Sequence, residues 1–401
     1  MSASHKPIYL DYHATTPLDP RVLEAMLPWF TENFGNAASR SHSYGWQASE
    51  AVELARGQVA KLLKADPKEI VFTSGSTEGL NMAIKGIAES SGSIGKHIIT
   101  IATEHHAVLD PIEWLEKKGY EITVLPVDIY GHFDLNRLKE CIRKDTIMVV
   151  VMWANNETGV LYPLTEIGMI CQAAGVPLIS DATQAAGKIK INPLESGVGM
   201  LTLTAHKFNG PKGVGAIYLN EKGLRVKPAA LIQGGGHERG FRSGTLNVPG
   251  IVGLGMAALL RQNDLLEDGL RMKRLRDHFE KSILSTVEAV FVNGDIDSRL
   301  PTVSNVKVTA VDSQAVMNRF RSKLAISSGS ACSSANPEPS HVLLAMGLSA
   351  AEAKGSFRIS IGSTTTLEEV DKAAQILKDA IDAERSQSPL WQMFKQGIDI
   401  S

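Results

Sequence analysis

An aspartate and a lysine follow two apolar runs near the middle of the chain. Asp181 comes directly after the run 177–180, and Lys207 follows the run 200–204. In a parallel sheet both side chains would lie at the carboxyl edge, where α/β proteins bind ligands. A lysine amine can form a Schiff base with an aldehyde and a carboxylate can keep a pyridine nitrogen protonated, so the pair suits pyridoxal 5′-phosphate (PLP). A structural acid and an ordinary salt-bridged lysine are the alternative.

A second motif leads from an apolar run into a turn of small residues, Phe72-Thr-Ser-Gly-Ser-Thr-Glu-Gly79. Ser76 and Thr77 lie at the start of a predicted helix, whose first backbone N–H groups could hold a phosphate together with the two hydroxyls. The motif is not a nucleotide-binding P-loop, because the Gly-Lys-Ser/Thr end is missing. A plain helix N-cap, which serine and threonine often provide, explains the same residues.

Two adjacent histidines, His105 and His106, come just after another apolar run. An imidazole at this position could stack on a cofactor and transfer protons. Surface or capping histidines are the alternative. A metal site is not predicted, because no third ligand stands at a recognisable spacing.

The chain has 3 cysteines, and their surroundings differ. Cys332 lies in Ser327-Ser-Gly-Ser-Ala-Cys-Ser-Ser-Ala335, a composition that cannot pack a core and predicts a mobile loop with an accessible thiol. Cys141 and Cys171 lie in amphipathic helical patterns, where a cysteine is usually a small buried hydrophobe. Few, widely spaced cysteines argue against a disulfide framework and indicate a reducing compartment.

A glycine-rich stretch with two arginines, Gly234-Gly-Gly-His-Glu-Arg-Gly-Phe-Arg-Ser-Gly-Thr245, is also unusual. It could bind an anion. It could equally form a solvated loop.

The sequence pattern predicts alternating strands and helices that would position these residues. Apolar, β-branched runs at 70–73, 97–101, 120–126, 146–152, 177–180 and 200–204 alternate with helical patterns at 77–88, 134–143 and 164–174, which predicts βαβ units and a mostly parallel sheet. After about residue 260 a charged helical stretch, 261–284, leads into separated runs at 289–292, 304–308 and 357–361. Thr366 and Glu369 form a capping-box pattern before a closing helix. We predict a large domain (15–260) and a smaller α+β domain (1–14 and 261–401) that carries the Cys332 loop.

The amino-acid composition and net charge argue against a nucleic-acid-binding protein and against a membrane protein. The 401 residues are 43% apolar with a net charge of −2, so a basic surplus for nucleic acid or anionic membranes is lacking. No apolar run approaches the roughly 20 residues of a membrane span, and the first residues carry no hydrophobic signal region. We therefore expect a soluble, cytoplasmic protein that binds neither nucleic acid nor membranes.

Together the motifs resemble the cysteine desulfurases, a family with the fold of the class V aminotransferases. The resemblance covers almost the full chain and also includes Ile8-Tyr-Leu-Asp-Tyr-His-Ala-Thr-Thr-Pro17, Phe34-Gly-Asn-Ala-Ala-Ser-Arg-Ser-His42, Asn155-Asn-Glu157 and Ser388-Pro-Leu-Trp-Gln-Met-Phe-Lys-Gln-Gly397. It implies a PLP-dependent transferase fold. The Cys332 loop resembles the long-loop group, and the Ser-Pro-Leu-Trp segment resembles members that supply general iron–sulfur cluster assembly.

The resemblance implies roles around the cofactor. Lys207 would bind PLP and transfer protons, Asp181 would pair with the pyridinium nitrogen, and Gln184 would hydrogen-bond the phenolic oxygen. His105 would stack on the ring and act in acid–base steps, with Asn156 close to the ring and the substrate. The residues implied to hold the phosphate are Ser76, Thr77, Thr204, His206 and, from the partner subunit, Thr245.

The resemblance also implies the substrate and its reaction. Arg358, helped by Asn36, would clamp the carboxylate of L-cysteine, a bidentate task that suits a guanidinium. Cys332 would be the nucleophile that takes the sulfur as a persulfide and leaves alanine. The implied active unit is a homodimer. Its persulfide would serve iron–sulfur scaffold and sulfur-carrier proteins, for cluster assembly and pathways such as tRNA thiolation, and Cys332 could ligate a cluster in a scaffold complex.

The sequence departs from the family pattern in three places. Thr204-Ala205 stand where members have Ser-Gly, although Thr204 keeps the hydroxyl. Trp153-Ala154 replace a His-Val pair. The chain lacks the longer acidic and histidine-rich tail of some relatives, which we expect to affect scaffold binding rather than chemistry.

Other functions remain as alternatives. A PLP-dependent aminotransferase for serine or phosphoserine would share Lys207 and Asp181 but would have no use for the Cys332 loop. An assembly platform with weak activity would not need the intact set of Lys207, Asp181, His105 and Cys332. A dinucleotide-binding dehydrogenase is disfavoured, because a Gly-x-Gly-x-x-Gly turn after a first strand is missing.

Overall fold

The computed structural model describes residues 6–224, 226–328 and 338–398. The strands are β1 (Ile8–Tyr9), β2 (Ile70–Thr73), β3 (His97–Ile101), β4 (Glu121–Leu125), β5 (Thr146–Val150), β6 (Leu178–Asp181), β7 (Val198–Thr204), β8 (Gly215–Leu219), β9 (Val290–Val292), β10 (Val303–Val308), β11 (Leu324–Ala325), β12 (Ser327–Ser328) and β13 (Ser356–Ser360). The helices are α1 (Pro20–Met26), α2 (Pro28–Thr31), α3 (Ser43–Leu63), α4 (Ser76–Ser90), α5 (His106–Glu116), α6 (Leu135–Cys141), α7 (Leu164–Ala173), α8 (Val248–Thr286), α9 (Ser313–Phe320), α10 (His341–Ala345), α11 (Ala350–Lys354), α12 (Leu367–Arg385) and α13 (Pro389–Lys395).

A large mixed sheet forms the centre of the molecule. Within the described ranges it has seven strands in the order β2-β8-β7-β6-β5-β3-β4, and all run parallel except β8, which is antiparallel to both its neighbours. Every residue of β3, β5 and β7 is buried, because helices cover both faces of the sheet. One apolar core includes residues of α3, α7 and α8, and another includes residues of α4 and α5.

The alternation predicted from the sequence is confirmed. The runs 70–73 and 97–101 match β2 and β3, and the other predicted strands of this sheet differ from the observed ones by one or two residues at an end. Strand β8 was not predicted. Its sequence, Gly-Ala-Ile-Tyr-Leu, follows β7 closely without the crossover helix that signals a parallel strand.

A smaller antiparallel sheet, in the order β12-β13-β10-β9, packs with α9, α12 and the second half of α8 around its own apolar core. The amino-terminal segment joins this region, because β1 pairs in parallel with β11 and Leu10 belongs to the same core. Helix α8 passes through residue 260, the predicted domain boundary. The domain boundaries therefore stay a prediction.

The predicted capping box at the start of α12 is confirmed. The Thr366 side chain accepts from the backbone of Glu369, and the Glu369 carboxylate accepts from the backbone of Thr366. The structural role predicted for Cys171 is also confirmed, because it is fully buried in α7, where burial raises the pKa of its thiol to about 12. Cys141 is partly buried at the end of α6. Among the described helices, none combines the length and the apolar character needed to cross a bilayer.

Candidate active site

A cavity of about 810 Å³ lies at the carboxyl edge of the large sheet and reaches the smaller one. The predicted site residues that line it are Ser76, Thr77, His105, Asn156, Asp181, Gln184, Thr204, His206, Lys207 and Arg358. Asn36 and Thr245 are exposed and do not line this cavity. Cys332 lies outside the described residues.

Lys207 and Asp181 reach the cavity from neighbouring strands. Asp181 is the last residue of β6 and is 6% exposed, and Lys207 ends a short 3-10 turn directly after β7. The Lys207 Nζ donates to the backbone carbonyls of His13 at 2.6 Å and of Ala14 at 2.8 Å. The Asp181 carboxylate accepts from the backbone N–H of Thr183 at 2.9 Å. The cavity therefore has a primary amine and a carboxylate at the edge where the sequence placed them.

The start of α4 forms another wall. Gly75 precedes the helix with φ +157° and ψ 179°, a backbone conformation largely restricted to glycine. Within the described structure no side chain caps α4, so the plain N-cap interpretation of Ser76 and Thr77 is not supported. The Ser76 hydroxyl instead accepts from the Thr183 hydroxyl at 2.6 Å. First-turn N–H groups of a helix are favourable partners for an anion.

Thr204 and His206 complete this wall. The Thr204 hydroxyl donates to the carbonyl of Val214 at 3.2 Å, and His206 Nδ1 lies 3.1 Å from the Thr15 hydroxyl. Burial, followed by the positive charge of Lys207, lowers the pKa of His206 to about 4. The His206 ring is therefore neutral near pH 7 and has one ring N–H to donate.

His105 caps α5 and also lines the cavity. Its Nδ1 accepts from the backbone N–H of Ala107 at 3.0 Å, so the proton of the neutral ring is on Nε2. Burial lowers the pKa of His105 below its ordinary value. His106 is exposed and lies 3.1 Å from Asp110. No cluster of metal-ligating side chains is found among the described residues.

Arg358 enters the cavity from β13 of the smaller sheet and is 2% exposed. Its Nη2 donates to Asp11 at 2.9 Å and its Nη1 to the backbone carbonyl of Asn156 at 3.2 Å. Its Nε and the side-chain Oδ1 of Asn156 are both buried without a hydrogen-bond partner in the described structure. Unpaired buried polar atoms are rare, and two of them at one cavity indicate a polar ligand.

Several cavity residues were not singled out by sequence reasoning. His13 is 1% exposed and its backbone carbonyl accepts from Gln184 Nε2 at 3.0 Å. Glu157 accepts from the Ser340 hydroxyl, and burial raises the pKa of its carboxyl to about 7. His341 Nε2 lies 2.9 Å from the carbonyl of Glu104. His13 and Glu157 belong to segments that carried the family resemblance, whereas His341 had no signal because a single histidine fits many environments.

The segment that contains Cys332 is bounded by described residues at this cavity. Before it, Ser327 of β12 pairs with Arg358 in the register of the small sheet. After it, the Ser340 hydroxyl binds Glu157 and His341 lines the cavity. The chain thus enters and leaves the segment 329–337 beside the residues described above.

The glycine-rich stretch 234–245 is anchored by a buried ion pair. Glu238 is 7% exposed, and both of its carboxylate oxygens accept from Arg56 at 2.8 Å. The same carboxylate accepts from the backbone of Phe72 in β2 at 2.8 Å. A fully solvated loop is therefore excluded as the interpretation of this stretch.

Comparison with known proteins identifies the family. The class-V aminotransferase family model matches residues 8–373. A cysteine desulfurase IscS from Anaeromyxobacter sp. (strain Fw109-5) is 50% identical over 395 residues, which cover 98% of this chain and 97% of the relative. Another cysteine desulfurase IscS, from Neisseria meningitidis serogroup C, is 49% identical with the same coverage. The chain belongs to the cysteine desulfurases.

Solved structures agree with this membership. A NifS-like protein superposes on this desulfurase with a TM-score of 0.87 at 34% identity, covering 94% of this chain and 100% of the other. A NifS-like protein from Rickettsia africae gives a TM-score of 0.84 at 32% identity, with 94% and 100% covered. SspA in complex with cysteine gives 0.78 at 35% identity, with 89% and 99% covered. The α/β fold, the family and the enzyme class predicted from the sequence are thereby confirmed.

PLP is the cofactor of this family, and the residues of the cavity fit it. Lys207 offers the amine and Asp181 the carboxylate that the aldehyde and the ring nitrogen of PLP require. Among the described residues nothing caps the start of α4, which suits a phosphate, and the cavity residue Asn156 has a buried Oδ1 without a hydrogen-bond partner, which suits a polar ligand. The prediction of PLP as cofactor is confirmed.

Proposed function

We propose that this cysteine desulfurase transfers the sulfur of L-cysteine to Cys332 and releases L-alanine, with Lys207, Asp181, His105 and Arg358 as its central residues. One observation carries the assignment of roles: an amine, a carboxylate, a neutral imidazole and a buried guanidinium line one cavity, although they come from two different sheets. The family membership supports the reaction itself.

The residues proposed to hold PLP divide by the part of the cofactor that they face. Lys207 would bind the aldehyde, Asp181 would pair with the ring nitrogen, and Gln184 would donate to the phenolic oxygen. Ser76, Thr77, Thr204 and His206 would hold the phosphate, beside the start of α4, which no side chain of the described residues caps. When bound, PLP withdraws electrons from the α-carbon of the substrate, which weakens its bonds.

Two residues are proposed to move protons. Lys207 Nζ would take the proton from the substrate α-carbon, since this amine lies in the cavity, held there by the carbonyls of His13 and Ala14. His105 would hold a proton on Nε2, facing the reacting groups, because its Nδ1 is occupied by the backbone of α5. Its lowered pKa keeps the ring neutral near pH 7, so that Nε2–H is a hydrogen-bond donor toward the reacting groups.

Arg358 is proposed to bind the substrate carboxylate. Burial strengthens an ion pair with the carboxylate, and the planar guanidinium allows a two-point contact. Asp11 and the Asn156 carbonyl fix two of its nitrogens, which leaves Nε with a donor that has no partner in the described structure. Asn36 lies outside this cavity, so any help from it would come from the partner subunit.

The sulfur transfer balances without an oxidant. The Cys332 thiolate would attack the substrate sulfur and form a new S–S bond, while the carbon–sulfur bond of the substrate breaks and its electron pair stays on carbon. Protons added at the β- and α-carbons then give alanine. The described residues that flank the segment with Cys332 in sequence both reach the cavity wall, since Ser327 pairs with Arg358 and Ser340 binds Glu157, which supports access of Cys332 to the substrate.

We also propose a homodimer. Phe30, Phe34 and Trp46 are each more than half exposed, and exposed aromatic side chains of this size favour a protein interface. Thr245 and Asn36 are exposed and do not line the cavity of their own protomer, which agrees with a role in a partner's site. Iron–sulfur scaffold or sulfur-carrier proteins are the proposed acceptors of the persulfide, and the proposed location is the cytoplasm.

The test compares three proteins supplied with PLP: the wild type, Cys332→Ala and the control Cys141→Ala. L-cysteine and a thiol reductant are added, and alanine and sulfide are measured. We expect both products from the wild type and the control and neither from Cys332→Ala, with the same cofactor absorption in all three. Cofactor binding without any alanine from the wild type would instead favour an aminotransferase.

A further inference from the structure

A second lysine, Lys188, lies beneath the cavity. It is 7% exposed, and its Nζ donates to the side-chain Oε1 of Gln184. Lys188 follows β6 by only a few residues, so the same strand end supplies Asp181, Gln184 and this amine. A lysine is almost never buried unless its amine has a specific partner.

The local backbone directs Lys188 toward Gln184. Gly187 has φ +72°, and a Cβ at that position would lie 2.8 Å from the Cβ of Phe208, so both the conformation and the space require glycine. The backbone N–H of Lys188 donates to the carbonyl of Ala185 at 3.0 Å and closes the turn. The turn brings the Lys188 side chain close to Gln184, four residues earlier in the chain.

The surroundings of Lys188 disfavour a positive charge on its amine, and a residue kept at an unfavourable position often has a function. Lys207 and Arg358 both act on Lys188 with like charge, and burial lowers its pKa well below the ordinary value. Burial lowers the pKa of His13, and the nearby Lys188 lowers it further. The hydrogen bond to Gln184 does not depend on the charge, because the amine has N–H donors in both protonation states.

Two contacts determine which end of the Gln184 amide faces which neighbour. The His13 carbonyl can only accept, so it must face the amide nitrogen, and Lys188 donates to the amide oxygen on the other side. The amide nitrogen then faces the other way, where one N–H donates to the His13 carbonyl at 3.0 Å and a second N–H remains for the cavity. Gln184 is 4% exposed and has little room for other arrangements.

We propose that Lys188 is a positioning residue that acts through Gln184, holding its amide with the N–H donor toward the phenolic oxygen of bound PLP. The inference rests on the role proposed above for Gln184. A donor to that oxygen lowers its basicity, and so Lys188 contributes to the acid–base properties of the cofactor without touching it.

The experiment is a pH titration of the visible absorption of the PLP-loaded enzyme, for the wild type, Lys188→Met and Lys190→Met. Methionine keeps the length of the side chain but has no donor. We expect the midpoint of this pH titration to rise by about one pH unit in Lys188→Met. A phenolic oxygen that has lost its hydrogen-bond donor is more basic, so the cofactor keeps its titrating proton to a higher pH. Lys190 is exposed two residues away, and its variant should titrate as the wild type does. Lys188→Leu, also without a donor, has the same expected rise if the methionine variant does not fold.

Two further variants distinguish an error in the role inferred for Lys188 from an error in the role proposed for Gln184. Gln184→Met should raise the midpoint, and the double variant Lys188→Met/Gln184→Met should raise it no further, because the lysine acts only through the amide. A rise in Gln184→Met with none in the Lys188 variants would overturn the inference about Lys188 alone. No rise in Gln184→Met would overturn the proposed role of Gln184, and additive shifts would show that Lys188 acts by another route.

Discussion

The basic residues of the site are closer together than a ligand-free protein would favour. Burial lowers the pKa of both His13 and His206, and basic neighbours lower both values further, among them Lys188, Arg358 and Lys207 for His13 and Lys207 for His206. Like charges in a partly buried space repel each other, and an anion bound among them offsets this repulsion. A phosphate and a carboxylate would supply that negative charge, which agrees with PLP and an amino acid as the molecules bound here.

Lys207 is the residue whose proposed role is most directly testable. Lys207→Ala should lose covalent attachment of PLP, and alanine formation should fall by about 10²–10⁴-fold or more, because both the attachment point and the proton carrier are removed. Borohydride reduction followed by mass measurement detects the attachment. The control Lys212→Ala removes an exposed lysine at the edge of the cavity and should keep the attachment. Covalent PLP on Lys207→Ala would contradict the assignment.

Glu157 should make stability depend on pH. Burial raises the pKa of its carboxyl from 4.5 to about 7, so the folded protein holds the proton more tightly than the unfolded chain. The stability that this adds is complete below about pH 4.5 and is lost as the pH rises through 7, by up to about 3 kcal/mol. Glu157→Gln, which keeps an acceptor for Ser340, should therefore gain in melting temperature relative to the wild type as the pH rises.

The comparison is made from pH 5 to 8 with the PLP-loaded proteins, and Glu116→Gln serves as the exposed control. Its melting curve should remain parallel to that of the wild type. Parallel curves for Glu157→Gln as well would mean that the carboxyl ionises normally in the folded protein.

At the scale of elements, the parallel strands explain why chemistry-bearing residues gather at one edge. Strands β6 and β7 run side by side in the same direction, and Asp181 and Thr204 are their last residues. The turn before α4 reaches the same edge, because β2 is parallel to β7 across the antiparallel β8. The edge therefore combines strand ends with a helix start, an arrangement that suits an anionic ring-shaped ligand.

Gly75 tests the importance of this turn. Gly75→Ala should weaken PLP binding and lower stability by about 1–3 kcal/mol, because alanine does not readily adopt φ +157°. A Cβ there would be 3.5 Å from the Thr204 hydroxyl, so the effect comes from backbone strain rather than from a clash. PLP affinity is measured by titration of the apo-protein.

Gly119→Ala is the matched control, since Gly119 also has positive φ (+86°) and open space around it, in a turn between α5 and β4. It should lose stability while it keeps the affinity for PLP. Equal affinities in the two variants would show that the turn before α4 does not contact the cofactor.

The sequence predicted strand ends better than it predicted contacts between distant segments. Asp181 and Lys207 could be placed because each follows an apolar run whose end marks the end of a strand, and the motif at Ser76 could be placed because a strand leads directly into it. His13 and Lys188 could not, because their roles depend on the path of the amino-terminal segment and on one positive φ at Gly187. Arg358 reaches the cavity from another sheet, and only the family resemblance indicated it.

At the scale of the whole molecule, the exposed aromatic side chains and the position of Thr245 lead to one experiment on the proposed dimer. Lys207→Ala and Thr245→Ala are first prepared separately, each with reduced activity at limiting PLP. They are then co-expressed with different affinity tags, and the mixed dimer is purified. If Thr245 serves the site of the partner, one of the two sites combines the intact Lys207 of one chain with the intact Thr245 of the other.

We therefore expect the mixed dimer to recover about half of the wild-type activity per dimer, because one site is intact and the other carries both defects. Alanine formation at limiting PLP measures it. If Thr245 served its own chain, each site would carry one defect and the mixed dimer would show only the mean of the two parents. A single monomeric species in solution would remove the dimer from the proposal altogether, since the exposed Phe30, Phe34 and Trp46 would then have no partner surface of this chain to cover them.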